Sequence, residues 1–374
     1  MQYRAFGNTG FNISTLGFGA MRLPGRDVDG KKVFDEEESV RIIHRAFELG
    51  VNYIDTAPYY CDGESEVIVG KALKGWRDRV MLSTKNPVEN ASGADWRARL
   101  EKSLRKMDVD HIDFYHMWGI SLEAYRNEID VPDGPMEAAR KAKEEGLIRH
   151  ISFSFHDKPE NLFPLIDSGN FESVLLQYNL LDRANEAGIA HAKAKGLGVV
   201  VMGPVGGGRL GMPSEAIRSL LPGKVSSSAQ LALRFVLANA GVDCALSGMG
   251  TLEMVEQNCA VASNEAPLSQ EELERVNASM EENKRMADLY CTGCNYCMPC
   301  PQEVNIPLNF ELMNYHRIYG LTGYAREQYA QIGQVEWMKG KKADACVDCG
   351  LCEEKCPQKI EIRRQLRETA AVLG

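Results

Sequence analysis

The sequence predicts an α/β fold, a (β/α)8 or TIM barrel, followed by a small cysteine-rich domain. Short apolar runs alternate with amphipathic stretches through roughly the first 265 residues of the 374-residue chain. There are eight such alternations, and a barrel of eight strand–helix units needs about 250 residues. Eight of the 11 cysteines lie beyond residue 290. The chain therefore divides into a cysteine-poor body and a cysteine-rich tail.

The composition excludes several classes of protein. Hydrophobic residues make up 44% of the chain and charged residues 25%, which is ordinary for a folded globular protein. The formal net charge of −9 opposes a nucleic-acid-binding surface. No apolar stretch approaches the roughly 18–20 residues of a membrane span, and the start, MQYRAFGNTG, lacks the apolar segment of a signal peptide. We expect a cytoplasmic protein that binds neither nucleic acid nor membrane.

Each of the eight apolar runs is predicted to form a strand of the barrel. Near-continuous apolar runs with helical patterns between them are typical of parallel strands covered by helices. The runs occupy residues 16–21, 51–55, 80–84, 112–117, 150–154, 173–178, 199–202 and 244–248. The first helical pattern gathers Val40, Ile43 and Phe47 on one face, and the others lie near 65–74, 94–107, 136–145, 159–167, 184–195, 226–239 and 252–263. A doubly wound open sheet is the alternative fold, but no G-x-G-x-x-G motif follows the first run.

The end of the body is predicted near residue 285. Pro267 breaks the alternating pattern, and Ser269-x-x-Glu272 has the spacing of a helix capping box. A polar helix then leads into the first cysteine of the tail. We therefore expect a barrel domain at 1–285 and a second domain at 286–374.

Polar residues that follow two neighbouring predicted strands form a candidate proton-delivery group. The active site of a (β/α)8 barrel lies at the carboxyl ends of its strands. The second strand leads into D-T-A-P-Y-Y, from Asp55 to Tyr60, and the third ends at Lys85. A lysine ammonium lowers the pKa of a nearby phenol, and a carboxylate can hold that lysine in place. We expect Tyr60 to protonate a carbonyl oxygen; a structural ion pair beside a packed tyrosine is the alternative.

The body resembles the aldo-keto reductases from residue 1 to about 265. The resemblance lies in RAFGNTGFNISTLGFGAMR, in D-T-A-x-x-Y ending at Tyr60, and in S-T-K ending at Lys85. It continues, in the order typical of the family, in GLIRHISFS, LQYNLLDR, GPVGGGRLG and SGMGTLEMVEQN. It implies hydride transfer between a nicotinamide cofactor and a carbonyl or alcohol, with Tyr60 as proton donor and Asp55 and Lys85 as its catalytic partners. The D-T-A-x-x-Y spacing selects Tyr60 over the adjacent Tyr59.

The fourth catalytic residue of the family, a histidine, is displaced in this sequence. The motif D-[LF]-Y-x-x-H places it five residues after Asp113, where this chain has Trp118. The nearest histidine, His116, would share the face of Trp118 but lie roughly 6–7 Å deeper in the strand. A β-bulge would restore its reach. Without one, the carbonyl oxygen loses its imidazole donor and Trp118 offers only an indole N–H. His116 is nevertheless the candidate for the fourth catalytic residue.

The resemblance also implies a binding site for NADP(H) or NAD(H). At the nicotinamide, the implied contacts are Ser154, Gln177 and Tyr178, of which Tyr178 would stack on the ring. At the pyrophosphate they are Gly203, with the rest of the loop 203–208, and Arg209. At the adenosine end, Ser247 and Gly248 would contact the phosphate and Asn258 the adenine. A helix N-terminus after Gly248 would favour the phosphate. Family members often carry an arginine four residues before the asparagine, and this chain has Met254 there. The resemblance therefore implies less preference for the 2′-phosphate of NADP(H) than is usual.

The tail carries two cysteine runs that are typical of iron–sulfur proteins. They read C-x2-C-x2-C-x2-C-P and C-x2-C-x2-C-x3-C-P, ending at Pro301 and Pro357. The second is the bacterial ferredoxin run, whose fourth cysteine ligates the other cluster in two-cluster ferredoxins. We expect one [4Fe–4S] cluster on Cys291, Cys294, Cys297 and Cys356, and a second on Cys346, Cys349, Cys352 and Cys300. Two four-cysteine zinc sites are the alternative, but zinc sites usually space their C-x2-C pairs widely.

Three functions remain open on these features. The favoured one is an NAD(P)-dependent oxidoreductase that acts on small carbonyl or alcohol substrates and carries a small, mainly helical, ferredoxin-like iron–sulfur domain. This combination of domains resembles a subgroup of the aldo-keto reductases, and CTGCNYCMPCP looks like the signature of that subgroup. The second is an iron–sulfur reductase whose barrel binds a substrate that is reduced through the clusters by an electron-transfer partner, without nicotinamide. The third is a non-catalytic redox-sensing protein or subunit, against which the retention of Asp55, Tyr60 and Lys85 argues.

Overall fold

The computed structural model describes residues 1–28, 31–264, 267–291 and 293–374. The chain forms two compact units, one of residues 1–207 and 232–268, the other of residues 208–231 and 269–374. The predicted boundary near 285 lies within the second unit, which also takes in the segment 208–231. Among the described residues, no helix has the length and apolar character needed to cross a membrane.

The first unit contains a closed barrel of eight parallel strands, which confirms the predicted fold. The strands are β1 (Leu16–Gly19), β2 (Tyr53–Asp55), β3 (Met81–Pro87), β4 (Ile112–Ile120), β5 (Ile148–Phe155), β6 (Ser173–Gln177), β7 (Gly198–Met202) and β8 (Cys244–Ser247). Each strand pairs with the next in chain order, and β8 pairs with β1. Closure satisfies the backbone groups that an open sheet leaves at its edges.

One main helix follows each strand, as the alternating pattern predicted. They are α1 (Glu36–Glu48), α2 (Ser65–Leu73), α3 (Gly93–Met107), α4 (Pro135–Glu144), α5 (Leu162–Asp167), α6 (Glu186–Ala194), α7 (Ser228–Ala238) and α8 (Leu252–Asn264). In α1, the Asp35 side chain accepts a hydrogen bond from the Glu38 N–H and so caps the first turn. Ile43 and Phe47 of the predicted apolar face are buried.

An N-terminal hairpin, which the sequence did not predict, lies at the amino end of the barrel. Its strands Tyr3–Ala5 and Asn12–Ser14 are antiparallel. Phe6 is fully buried, with its ring 4.8 Å from that of Phe114 near the start of β4. Gly198 at the start of β7 leaves room for it, because a Cβ there would lie 2.4 Å from the Phe6 ring. The carboxyl ends of the strands, where the catalytic residues are predicted, are therefore at the opposite end from Phe6.

The second unit is mainly helical. Its longer helices are α9 (Gln270–Tyr290), α10 (Ile306–Arg317), α11 (Thr322–Gln331), α12 (Leu351–Lys355) and α13 (Ile362–Leu373). The predicted capping box begins α9: the Ser269 N–H donates to the Glu272 carboxylate (2.9 Å), and the Glu272 N–H donates to the Ser269 hydroxyl (3.2 Å). Phe310 and Leu366 are buried in the core of this unit together with Cys352 and Cys356. Six of the eight cysteines of the tail thus lie in or against a packed core, and Cys294 and Cys349 are exposed.

Candidate active site

Asp55 and Lys85 form a buried ion pair at the carboxyl ends of β2 and β3. The Lys85 ammonium donates hydrogen bonds to the Asp55 carboxylate and to the Thr56 carbonyl oxygen, the latter at 2.8 Å. The second carboxylate oxygen accepts a hydrogen bond from the Ser83 hydroxyl at 2.8 Å. Both charged residues are 1% exposed. A buried pair is stable only when its remaining hydrogen-bonding groups are satisfied, and these partners meet that condition.

Tyr60 lies next to this pair, in the short turn that follows β2. The Lys85 Nζ is 4.7 Å from the centre of the Tyr60 ring. Burial raises the pKa of Tyr60 above its usual value, and the Lys85 charge offsets only part of that rise. The predicted lowering of this pKa is therefore outweighed by burial. Burial also disfavours the Lys85 ammonium, but Asp55 and Tyr60 outweigh it and raise the pKa of Lys85. At neutral pH the site holds a protonated phenol beside an ammonium.

Tyr59, the tyrosine adjacent to Tyr60, is placed differently. Its side chain is 60% exposed, and its hydroxyl donates to the Glu89 carboxylate at 2.7 Å. That hydrogen bond raises the pKa of the Tyr59 phenol. The structure therefore directs the two adjacent phenols to different partners.

His116 is buried at the level of Lys85 and is not exposed at the open end of the barrel. In β4 it stands opposite Lys85 of β3 and Ser152 of β5, in regular register. It is 0% exposed, and neither ring nitrogen has a hydrogen bond to any described residue. Burial, together with a smaller contribution from the Lys85 charge, lowers its pKa to about 4. This placement does not support the catalytic role expected for His116, because a substrate oxygen has no access to its ring.

The irregularity in β4 comes after His116. Met117 stands opposite Phe153 of β5, whereas Ile120 stands opposite Phe155, so β4 has one extra residue between them. Gly119 in this bulge has a φ of +62°, which favours glycine. The bulge therefore changes the direction of the residues around Trp118 and leaves His116 in place.

Two side chains hold the bulged segment. The Gly119 N–H donates to the Ser154 hydroxyl at 2.7 Å, and the Trp118 ring meets the Tyr60 ring edge to face at 5.8 Å between centroids. Ser154, expected at the nicotinamide, is thus in a position next to the bulge, where its oxygen accepts this hydrogen bond.

His156, which the sequence analysis missed, follows β5 directly. A Cβ on Gly119 would lie 3.7 Å from the His156 Cδ2, and the His156 side chain is exposed. Partial burial lowers the pKa of His156 below its usual value, and the Lys85 charge adds to the effect. The available signal was a histidine immediately after the fifth strand, two residues beyond Ser154. The barrel end therefore holds an accessible imidazole in addition to the sealed one of His116.

The residues expected at the nicotinamide are only partly brought together. The Gln177 side chain lies against Gly203, where a Cβ would be 2.7 Å from the Gln177 Oε1, and the Gly203 φ is +62°. Tyr178 is 2% exposed; its ring stacks on that of Phe235 at 5.7 Å and its hydroxyl donates to Glu186. Burial raises the pKa of Tyr178 to about 12. Tyr178 has no open face in this structure, so its placement does not support the expected stacking on a nicotinamide.

Arg22, rather than Arg209, is the cation beside the glycine loop. The Arg22 guanidinium lies 3.8 Å from the position of a Cβ on Gly207, and its Cβ lies 3.7 Å from that of Gly248. Arg22 is exposed and forms no ion pair with the residues that the structure describes. Arg209 belongs to the second unit, where it hydrogen-bonds the Tyr315 hydroxyl. Arg209, expected at the pyrophosphate, follows the loop directly in sequence, but the chain enters the second unit at residue 208.

The residues expected at the adenosine end lie close together. The Asn258 side-chain amide donates to the Ser247 hydroxyl at 3.2 Å. Thr251 caps the start of α8 by accepting from the Met254 N–H at 3.2 Å, and Met254 is 48% exposed. Ser247, Asn258 and the first turn of α8 therefore meet at the carboxyl end of β8, next to Gly248 and Arg22.

The eight cysteines of the tail line two cavities. One is bordered by Cys291, Cys294, Cys297 and Cys356, and the other by Cys297, Cys300, Cys346, Cys349 and Cys352. The Gly293 N–H donates to the Cys291 sulfur at 3.3 Å. Within the described part of the chain, no three His, Cys, Asp or Glu side chains are arranged around a single metal ion. Soft thiolates from both runs on each cavity fit [4Fe–4S] clusters.

Comparison with known families matches both parts of the chain. The model of the aldo/keto reductase family matches residues 15–281, and that of a 4Fe-4S dicluster domain matches residues 290–361. Among curated proteins, an L-galactose dehydrogenase of Arabidopsis thaliana is 29% identical over 317 residues, covering 76% of this chain and 96% of the relative. The uncharacterised oxidoreductase YqkF of Bacillus subtilis is 27% identical over 316 residues, covering 76% and 98%.

Solved structures give the same result for the barrel. The aldo-keto reductase AKR11C1 of Bacillus halodurans, in its holo form, is 31% identical with a TM-score of 0.64, covering 74% of this chain and 96% of that one. An aldo/keto reductase of Klebsiella pneumoniae in complex with NADP and acetate is 25% identical with a TM-score of 0.62, covering 74% and 95%. The chain is therefore an oxidoreductase of the aldo/keto reductase family that carries a C-terminal 4Fe-4S dicluster domain.

Proposed function

We propose that the barrel transfers hydride between a nicotinamide cofactor and a small carbonyl or alcohol substrate, with Tyr60 as the proton donor. The observation that carries this proposal is the position of the Tyr60 ring, 4.7 Å from the ammonium of the buried Lys85–Asp55 pair. General acid catalysis needs a protonated group whose conjugate base is stabilised nearby. Tyr60 is protonated at neutral pH, and Lys85 stabilises the phenolate that remains after proton transfer.

The chain's own residues supply the proton and the fixed charge. The nicotinamide, when bound, supplies the hydride that reaches the carbonyl carbon. Tyr60 gives its proton to the carbonyl oxygen. Asp55 fixes the position of the Lys85 ammonium, because the ammonium donates to Asp55 and to the Thr56 carbonyl oxygen and the Asp55 carboxylate also accepts from Ser83. Such a preorganised cation costs no reorganisation when negative charge develops on the phenol oxygen.

The proposed cofactor site runs from β5 round to β8. Ser154 and Gln177 lie at its nicotinamide end, and Ser247 and Asn258 at its adenosine end. Between them, several glycines of the loop 203–208 have positive φ angles, which bring backbone close to a ligand. Arg22 supplies the positive charge that a pyrophosphate needs. The Klebsiella relative, solved with NADP, supports this assignment.

We further propose that the tail holds two [4Fe–4S] clusters with crossed ligation. One would be bound by Cys291, Cys294, Cys297 and Cys356, and the other by Cys346, Cys349, Cys352 and Cys300. The two cysteine-lined cavities support this set, since each contains cysteines from both runs. Such clusters, when bound, carry single electrons. An electron-transfer partner is therefore the alternative source of reducing equivalents for the substrate.

Anaerobic titration of the iron-loaded protein with NADPH and with NADH tests the proposed cofactor. Trp118 contacts the Tyr60 ring, so its fluorescence is expected to fall as nucleotide fills the site. We expect dissociation constants in the micromolar range or below for at least one nucleotide. If neither nucleotide binds, hydride transfer is excluded, and the function fed by an electron-transfer partner takes its place. The absorbance of the clusters, recorded in parallel, should not bleach when NADPH binds without substrate.

Replacing Arg22 with alanine is expected to weaken both nucleotides to a similar extent. Loss of one exposed charge-assisted contact with the pyrophosphate should raise Kd about tenfold, or ~1.4 kcal/mol. NADPH and NADH share the pyrophosphate, so equal weakening distinguishes it from a contact with the 2′-phosphate, which would affect NADPH alone. Arg41→Ala is the matched control, because Arg41 is also exposed but is paired with Glu38 on α1. An unchanged Kd for Arg22→Ala would remove Arg22 from the site.

A further inference from the structure

We propose that His156 donates the hydrogen bond to the substrate carbonyl oxygen, in place of the histidine that Trp118 displaces from β4. The inference rests on the proposed function, because negative charge develops on the carbonyl oxygen only when hydride is delivered to its carbon. In the balanced reaction, the carbon gains the hydride, the oxygen gains the Tyr60 proton, and the nicotinamide is oxidised. His156 transfers no proton; it stabilises the charge that develops on the oxygen.

The bulge in β4 is the first structural reason. The extra residue between Met117 and Ile120 directs the Trp118 ring to the Tyr60 ring, and it brings Gly119 next to β5. Gly119 has no side chain, and the His156 ring occupies the space 3.7 Å from where its Cβ would be. A histidine at the end of β5 therefore lies beside the segment in which Trp118 occupies the motif position of the histidine.

Access is the second reason. His116, the other histidine near Lys85, is 0% exposed and stands opposite Lys85 in the sheet. The His156 side chain is exposed and stands after the last residue of β5, at the end of the barrel where Tyr60 lies. A substrate oxygen can therefore approach the ring of His156 but not that of His116.

The protonation state of His156 suits a donor that keeps its proton. Partial burial and the nearby Lys85 ammonium both lower its pKa, so the imidazole is neutral at pH 7. A neutral imidazole carries one N–H, which can donate to the carbonyl oxygen. Because the ring is uncharged, it does not compete with Tyr60 as an acid. The competing donor is the indole N–H of Trp118.

Steady-state reduction of 4-nitrobenzaldehyde by NADPH, or by NADH if that nucleotide binds more tightly, tests the proposal on the full-length, iron-loaded protein. We expect His156→Ala to lower kcat about 10²–10³-fold, the usual cost of losing one such donor. The nucleotide Kd should stay within about threefold of wild type, because the donor contacts substrate rather than cofactor. His156→Asn and His156→Gln place an amide N–H near the Nδ1 and Nε2 positions, and one of them should recover at least about tenfold of the loss.

Three controls separate the possible outcomes. His191→Ala changes a histidine on the outer helix α6, paired with Asp167, and should leave kcat unchanged. Trp118→Phe keeps an aromatic ring and removes the indole N–H; a large loss here with a small one for His156→Ala would assign the donor to Trp118 and overturn the proposal. A kcat within about threefold of wild type for His156→Ala, or no recovery by either amide, would also overturn it. A wild-type protein that binds no nucleotide or reduces no aldehyde would instead refute the proposed function itself.

Discussion

Replacement of Tyr60 by phenylalanine is expected to lower kcat for carbonyl reduction about 10²–10⁴-fold, because it removes the proposed general acid and leaves the ring. The side chain packs against Trp118 and lies over Lys85, and phenylalanine preserves both ring contacts. Nucleotide binding should therefore be nearly unchanged. The measurement is kcat and KM for 4-nitrobenzaldehyde, with nucleotide Kd measured separately, so that a loss of chemistry is distinguished from a loss of binding.

Tyr59→Phe is the matched control for this prediction. It removes a hydroxyl from the adjacent position, where the phenol is exposed and donates to Glu89. We expect a kcat within about twofold of wild type, since surface substitutions of this kind have small effects. If Tyr59→Phe lost activity and Tyr60→Phe kept it, the assignment of the proton donor would be reversed.

The pH dependence of the two reaction directions follows from the raised pKa of Tyr60. Burial holds this pKa above the usual value of 10 even though Lys85 lowers it in part. The protonated phenol, which carbonyl reduction needs, is therefore fully present at neutral pH and is lost only as the pH rises through the raised pKa. Alcohol oxidation needs the phenolate, so its rate should rise about tenfold per pH unit below that pKa. If Tyr60→Phe abolished the pH dependence of both carbonyl reduction and alcohol oxidation, the titrating group would be assigned to Tyr60.

The sequence was sufficient for the parts of the site that regular strands position. Asp55 and Lys85 lie at the ends of neighbouring parallel strands, and the register of those strands alone brings carboxylate and ammonium together. The D-T-A-x-x-Y motif of the aldo/keto reductases selects Tyr60 over Tyr59, and the Tyr60 ring lies beside Lys85 as the proposed chemistry requires. Strand periodicity and short-range spacing are local properties, so one sequence is enough to identify them.

The sequence was not sufficient where one extra residue or a distant segment decides the placement. The bulge at Trp118 and Gly119 changes the path of β4 by a single residue, and periodicity does not reveal where that residue is accommodated. Arg22 follows β1, whereas the glycine loop follows β7. The two segments lie close together only because β8 pairs with β1 and closes the barrel. Arg209 follows the loop in sequence but joins the second unit. The first difference is a local irregularity that has no periodic signal, and the other two depend on contacts between segments distant in sequence.

The proposed crossing of cluster ligands predicts a distinctive pattern of iron loss. With crossed ligation, Cys294 and Cys356 serve one cluster, whereas Cys294 and Cys300 serve different ones. The double variant Cys294→Ala, Cys356→Ala should therefore keep about four irons, and the double variant Cys294→Ala, Cys300→Ala should keep almost none. Each cluster held within one run would give the reverse pattern. Iron content per chain after anaerobic reconstitution, together with the electron paramagnetic resonance signal of the reduced protein, measures both.

Cys294→Ala alone is the reference for this comparison, because an exposed cysteine can be removed with little effect on packing. We expect it to keep about four irons, like the first double variant. Cys356 is buried in the core of the second unit, so the Cys294→Ala, Cys356→Ala variant also loses some stability. It should nevertheless hold more iron than the Cys294→Ala, Cys300→Ala variant, although Cys300 is less buried than Cys356. Packing alone predicts the opposite order. The iron count therefore distinguishes ligation across the two runs from a simple loss of folding, and it does so without reference to the activity of the barrel.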